Sequence, residues 1–478
     1  MPFKLPLYRK VPAPAGGAPA IFELLKALPC PFLLDTGMLV QGLGHHSFVG
    51  ADPFLVLKAR GQQITVAEVD KTTFYNGDPM AELGRLLARY KLPATTGPYP
   101  FNGGAVGYFS YDLGRRFELI PSLAVDDLKT PDLCLGFYDV VVAVDEQSGE
   151  VTVISTGLPE CGTAAVLRAQ ERLKTVTGLL SAQPPSSGGA NVSDSDDKTD
   201  GLVSNFTPDA YREAVRRAVE YIYAGDIFQV NLSQRFSTPQ VMDAWSVYTS
   251  LRKFNPAPFA AFLSYDDLEV ICASPERFIK LEGSRVETCP IKGTRPRGGT
   301  PDEDERLRQE LLDSEKDQAE LMMIVDLERN DLGRVCEVGS VKVPELYRLE
   351  EYATVFHLVS TVEGRLHPEK DITDLLAASF PGGSITGAPK IRAMEIIEEI
   401  EPVRRGVYTG SIGYIGFDGR ADLNIVIRTI LAAGGNFYFQ VGGGITADSD
   451  PHHEYVETLD KARALVRALG LEKSEHGF

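Results

Sequence analysis

Apolar and polar positions along the chain change period several times. FLVLKA–RGQQ–ITVAEV, residues 54–69, alternates on either side of a polar turn, and LGFYDVVVAV–DEQSG–EVTVIST, residues 135–156, does the same. LEVICASPERFIKLEGSRVET and LNIVIRTILAAGGNFYFQVGGG repeat the pattern further along. Period two around such turns predicts antiparallel hairpins. Between them the period lengthens to that of a helix. In TPDAYREAVRRAVEYIYAG, residues 207–225, Tyr211, Val215, Val219 and Ile222 share one face, with Thr207 placed to cap, Pro208 in the first turn and Gly225 at the stop. The chain therefore reads as α+β, antiparallel sheet with helices in both halves.

The pattern lapses once. Residues 181–201, SAQPPSSGGANVSDSDDKTDG, hold almost no large apolar side chain. Such a segment cannot offset the entropy of ordering and predicts a linker or surface excursion. It separates an N-terminal region, 1–180, from a C-terminal region, 202–470. GAVGYFSYD (104–112) and GSIGYIGFD (410–418) echo each other across it.

Composition narrows the function classes. The 478 residues carry a net charge of −18, which argues against nucleic acid as a partner, since phosphate binding needs a basic face. An anionic substrate would need local cations or a metal to hold it. Six cysteines form no CxxC pair, as expected of reduced thiols in a cytoplasmic protein. No run of 18 apolar residues predicts a membrane span, and MPFKLPLYRKVPAPAGG lacks the apolar centre of a signal peptide.

Several short stretches could carry chemistry. In SDPHHEYVETLDKARALVRAL, Glu454, Glu457 and Lys461 fall within roughly 60° of one helical arc, with Leu459, Ala462, Val466 and Leu469 on another. Paired carboxylates suit magnesium better than zinc, although a solvated face with a Glu457–Lys461 pair has the same spacing. Gly442, Gly443 and Gly444 end a predicted strand, where bare N–H groups could approach an anion. FPGGSITGAPKIRAMEII is no phosphate loop, because Ala388 stands where that motif needs lysine; Ser384 and Thr386 remain as hydroxyl donors. Asp317 and Glu320 share a helical face, and His357 sits in an apolar run that would equally suit a core histidine. CPIKGTRPRGG, residues 289–299, places Lys292 beside Arg295 and Arg297 in backbone that reads as neither helix nor regular strand.

The order of these motifs resembles the chorismate-utilising enzymes. The similarity runs from residue 206 to 467 through GDIFQVNLSQRF, ASPERF, PIKGTRPRG, DQAELMMIVDLERNDLGRV, VFHLVSTVEG, FPGGSITGAPKIRAMEII, NIVIRT and HHEYVETLDKARA, and more loosely through PFLLDTG and PFNGGAVGYFSYD. The resemblance implies a two-lobed sandwich of antiparallel sheets flanked by helices. It also implies magnesium held by Glu320, Glu454 and Glu457. Arg428, Tyr408 and glycines 442–444 would take the enolpyruvyl carboxylate. Thr294, Ser384 and Lys461 would lie on the substrate side, Glu276 would be the general acid, and His357 would stand near the ring.

Within the family, anthranilate-, isochorismate- and salicylate-forming members carry alanine in PIAGT, whereas members making 4-amino-4-deoxychorismate often carry lysine. Lys292 is therefore expected to be a nucleophile, with Arg295, Arg297 and magnesium as the charges that lower its pKa. Gln229 matches the lysine base of isochorismate-forming relatives, so hydration is not expected; the anthranilate reaction is the alternative. Ammonia would come from a glutamine amidotransferase, and p-aminobenzoate, for folate, would be released by a lyase, both as separate proteins. Tryptophan-inhibited relatives carry an LLES-type motif where this chain reads Leu33-Leu34-Asp35-Thr36.

Overall fold

In the computed structural model, which describes residues 5–40, 42–93, 97–181, 201–266, 268–352 and 355–471, the hairpins assemble into two twelve-stranded sheets. Of the expected linker, residues 182–200 lie outside the described residues. Both sheets draw strands from either side of it. Phe32–Asp35 pairs with Phe259–Tyr265 in the first sheet, and Gly104–Phe109 pairs with Ser411–Gly416 in the second. These last two are the echoing segments, lying side by side with Gly107 opposite Gly413.

Phe32, Tyr108, Tyr138, Leu263 and Tyr414 pack between the sheets. Helices Gly17–Leu25, Gly162–Leu180, Ala244–Phe254 and Pro451–Ala468 pack on the first sheet. Helices Pro79–Arg89, Glu315–Gly333 and Ile372–Ser379 pack on the second. Strands covered on both faces read as continuous apolar runs, as in Leu133–Tyr138, where every residue is buried. The helix expected over 207–225 is Pro208–Tyr223, and the Thr207 hydroxyl accepts from the Ala210 N–H at 3.2 Å. Among the described residues no helix is long and apolar enough to cross a membrane, and all six cysteines are free.

Three apparent hairpin arms differ from expectation, because the chain passes from one sheet to the other within them. LGFYDVVVAV is two strands: Leu133–Tyr138 belongs to the second sheet and Val140–Asp145 to the first. The break is Asp139, fully buried and held by Arg168 at 3.0 Å and Arg172 at 3.3 Å. Leu268–Ser274 passes to Arg277–Glu282 in the same way, and Ala421–Asn424 to Thr429–Ala433. Glu276 stands on the second crossing and Arg428 on the third.

The close strand pairing makes Gly413 sensitive. A Cβ there would lie 2.0 Å from the Asp422 carbonyl oxygen, in a strand that pairs with it. Gly413→Ala should cost on the order of 1–3 kcal/mol through overpacking. Thermal melts would show this as a lowered midpoint; a midpoint at or above the native one would contradict the register.

Candidate active site

CPIKGTRPRGG contains a strand after all. Ile291–Pro296 forms the edge of the second sheet, antiparallel to Val355–Arg365. Its irregularity is confined to one bulge. Lys292 faces Leu358 and Thr294 faces His357, so Gly293 is the extra residue, with φ +74°. A Cβ at Gly293 would stand 2.8 Å from Leu311 Cδ1 and 3.0 Å from Asp317 Cβ, which leaves glycine as the residue that fits. Bulges re-aim the side chain beside them, and here the Lys292 amine donates to the Ser384 carbonyl at 3.2 Å.

Burial pulls the Lys292 pKa below that of an ordinary lysine; Glu320 and Glu276 act in the opposite sense, and Lys461 reinforces burial. The arginines expected to do this are engaged elsewhere. Arg295 bonds Glu310 and Asp317, each at 3.0 Å. Arg297 bonds Asp304 at 2.5 Å and lies over the Phe356 ring, 4.6 Å from its centre. Desolvation, rather than neighbouring guanidinium groups, favours the neutral amine.

Glu276 is buried on its crossing, with 5% of its surface exposed. Burial pushes its carboxyl up to about 7, restrained by the Ser384 hydroxyl, the Lys292 charge and the Ile291 backbone. Ser384, in the short turn Gly383–Ile385, acts on both groups: its carbonyl accepts from Lys292 and its hydroxyl tempers the raised pKa of Glu276. Behind Glu276 lies Glu328, which the motif reading passed over. It accepts from the Thr288 hydroxyl at 3.0 Å, and burial together with the Glu276 charge holds it well above the carboxylate range. Its spacing was legible, since Leu321, Ile324, Val325, Glu328 and Leu332 form one buried helical face.

His357 is buried in Val355–Arg365, its Nδ1 3.0 Å from the hydroxyl of Thr294, itself an exposed residue. Burial, with the Arg428 charge adding, pushes it down to about 4. The ring is therefore neutral at physiological pH. Its NMR resonances should not titrate above about pH 5, and a midpoint near the ordinary value of about 6.5 would contradict this environment.

Arg428 has φ +52° and donates from Nη1 to the Lys461 carbonyl at 3.1 Å. Tyr408 is buried, with the Arg405 guanidinium 5.9 Å from its ring centre, and burial raises its pKa. Gly442, Gly443 and Gly444 lie among the last four residues of the strand Asn436–Ile445, at the end of a strand as read, opposite Ser233, Leu232 and Asn231. Pairing on the other side stops at Phe439, so among the described residues no strand pairs with the glycine stretch there. A Cβ on Gly444 would meet Gln229 Nε2 at 2.0 Å. That amide is buried, and among the described residues neither of its polar atoms has a hydrogen-bond partner.

The expected metal ligands come from two helices. Glu320 lies in Glu315–Gly333; Glu454 and Glu457 lie in the first turns of Pro451–Ala468, which Asp450 caps by accepting from the His452 and His453 N–H groups. Glu454 accepts from the Ser449 hydroxyl at 2.7 Å. Lys461 bonds Glu457 at 2.6 Å and the Gly442 carbonyl at 2.8 Å. Burial raises the pKa of Glu320 and Glu454, and the Glu457 charge adds to both. Glu457 is also pushed up by burial, yet the Lys461 ammonium, together with Lys316 and Lys292, holds it below the usual range.

These acids do not close on a common point: among the described residues, the set with ligand atoms all within 4.8 Å of one another is His45, His46 and Asp145. In kind, however, the donors suit a hard cation. A Cβ on Gly443 would fill the space they border, 3.3 Å from Glu454 Oε2 and from Glu457 Oε1. Mutual repulsion among partly buried carboxylates is what a divalent ion relieves.

The arrangement couples a half-buried amine, a carboxylic acid, a row of bare backbone and a set of acids. The family described as chorismate binding enzyme matches residues 41–467, and the chain belongs to that family. Two curated relatives bracket it. The aminodeoxychorismate synthase component 1 of Salmonella typhimurium is 42% identical, over 94% of this chain and 95% of its own. The anthranilate synthase component 1 of Thermus thermophilus is 46% identical, over 79% of each. Among solved structures, anthranilate synthase component I from Streptococcus pneumoniae TIGR4 superposes with a TM-score of 0.78 at 32% identity, covering 90% of this chain and 94% of that one.

Proposed function

We propose that the chain aminates chorismate to 4-amino-4-deoxychorismate, retaining the enolpyruvyl group, and that Lys292 forms a covalent adduct with the ring on the way. The observation that carries this reading is the desolvated Lys292 amine beside Ser384 and Glu276. Overall identity does not separate the aminodeoxychorismate and anthranilate relatives; the lysine in PIKGT does.

The neutral Nζ attacks the conjugated ring and a C–N bond forms. The C–O bond to the hydroxyl breaks, and the hydroxyl leaves as water with the proton of Glu276. The proton shed by the new ammonium nitrogen makes good that loss. Ammonia then takes the place of the lysine nitrogen and restores the free amine. Arg428, Tyr408 and the backbone of Gly442, Gly443 and Gly444 would hold the enolpyruvyl carboxylate. Thr294 and neutral His357 would line the ring, and Lys461 would steady Glu457. Gln229, an amide, cannot activate water as a lysine base could.

Glu320, Glu454 and Glu457 would hold magnesium, which when bound neutralises the ring carboxylate. The relatives' designation as a component 1 supports a second component, which we take to be a glutamine amidotransferase supplying ammonia; a separate lyase would release p-aminobenzoate for folate synthesis. Incubation with chorismate, magnesium and ammonium salt tests the reading. p-Aminobenzoate should form only after a lyase is added, and direct release of anthranilate with pyruvate would overturn it in favour of the alternative.

A further inference from the structure

Away from the residues just assigned, a cavity of about 110 Å³ opens between the sheets, lined by Leu34, Phe48, Ala261, Ile412 and Tyr414. Asp35 and Thr36, of the departed LLES-type stretch, also border it. Asp35 is engaged with the Tyr248 hydroxyl at 2.6 Å, and the Thr36 hydroxyl donates to the His46 carbonyl at 2.9 Å. His45 and His46 line the same cavity. We propose that His45, His46 and Asp145 form a binding site for one transition-metal ion, zinc or nickel in preference to magnesium, beside this cavity.

Their ligand atoms lie within 4.8 Å of one another, and all three residues are partly exposed. The strand register accounts for the placement: His46 in His46–Gly50 stands opposite Asp145 in Val140–Asp145. Asp145 is oriented by the turn after it, its Oδ1 accepting from the Gln147 and Ser148 N–H groups at 2.9 and 3.1 Å. Its Oδ2 is 3.9 Å from His45 Nε2. That is too long for a hydrogen bond and close to the spacing of two ligands on one ion, since metal–nitrogen and metal–oxygen bonds run about 2.0–2.2 Å.

The rings are also held. His45 lies against His46 with centres 4.2 Å apart, and His46 packs beside Phe48 and edge-on to Tyr99. Two imidazoles and one carboxylate suit zinc, copper or nickel, whereas magnesium takes oxygen ligands. Three protein ligands leave a coordination position for water or for an electron-pair donor lodged in the cavity.

Chelator-treated full-length chain, its exposed thiols blocked, should be titrated with zinc alone in excess magnesium, which occupies hard oxygen sites. One equivalent should bind at micromolar affinity or tighter. His45→Gln, and Asp145→Asn, which keeps Oδ1 for its turn, should each weaken this at least tenfold while retaining the native melting profile. Failure to bind one equivalent, or binding unchanged by both substitutions, would overturn the proposal. Cobalt(II) on the native chain gives a readout independent of variant folding: ligand-field bands without a thiolate charge-transfer band support the site, and a thiolate band or no bands overturn it. Neither measurement involves chorismate turnover.

Discussion

Lys292→Ala is expected to lose amination by about three orders of magnitude or more, as removal of a nucleophile does elsewhere, and to keep its fold. The native amine sits where burial disfavours its charge, so removing it takes away no strong stabilising contact beyond one bond to Ser384. A second substitution separates nucleophilicity from charge. Lys292→Arg retains a cation near Glu276 and Glu320 but offers no neutral nitrogen at any working pH, and it should fail as completely as alanine. Steady-state assay with ammonium salt and added lyase reads both variants. Activity within tenfold of native in either would mean that the amine is not the attacking group.

Glu276→Gln is expected to lower kcat by about a hundredfold to ten-thousandfold, the usual worth of a positioned general acid, while stabilising the protein at neutral pH. The sign follows from the raised carboxyl. Its folded pKa is about 7 against an ordinary 4.5, so the folded state binds more protons between those values. The stability it contributes is fully present below about 4.5 and is lost as pH rises through about 7. At 1.36 kcal/mol per unit, that difference amounts to about 3 kcal/mol. Native protein should therefore lose stability from pH 5 to pH 8 by roughly this share, and the glutamine variant should have a flatter profile. The native rate should also decline above about pH 7 as the acid loses its proton, and this limb should be missing from the residual activity of the variant. Denaturation at the two pH values and a pH–rate profile check both; a variant that melts lower than native at pH 8 would contradict the buried-acid assignment.

Local patterning showed the strands and helices well because period and caps are local properties. Thr207, Pro208 and Gly225 marked a helix that forms as read. The passage between sheets was not legible in the same way. A strand buried on both faces is apolar throughout, and nothing in LGFYDVVVAV states that its halves join different sheets; Asp139 is the single mark, and its partners Arg168 and Arg172 come from a later helix. Glu276 and Arg428 share this difficulty, because each owes its position to such a crossing.

The PIKGT motif marks Lys292 in the sequence, but burial rather than the adjacent arginines lowers its pKa. Arg295 and Arg297 are near in sequence, yet acids from the following helices, Asp304, Glu310 and Asp317, take them up. Long side chains go to their charge partners, and a linear reading cannot follow them. The shared arc of Glu454, Glu457 and Lys461 was readable from helical geometry alone, and Lys461 does bond Glu457. The glycines at 442–444 read as the end of a strand and fall among the last four residues of one, in a register set by Ser233, Leu232 and Asn231 on its neighbour.

The most direct test is intact-protein mass spectrometry after mixing the chain with chorismate and magnesium in the absence of ammonia. The native chain should gain the mass of chorismate less one water, on the peptide that carries Lys292, and Lys292→Ala should gain nothing. No adduct on the native chain under turnover-competent conditions, or an equal adduct on the alanine variant, would contradict attack by this amine.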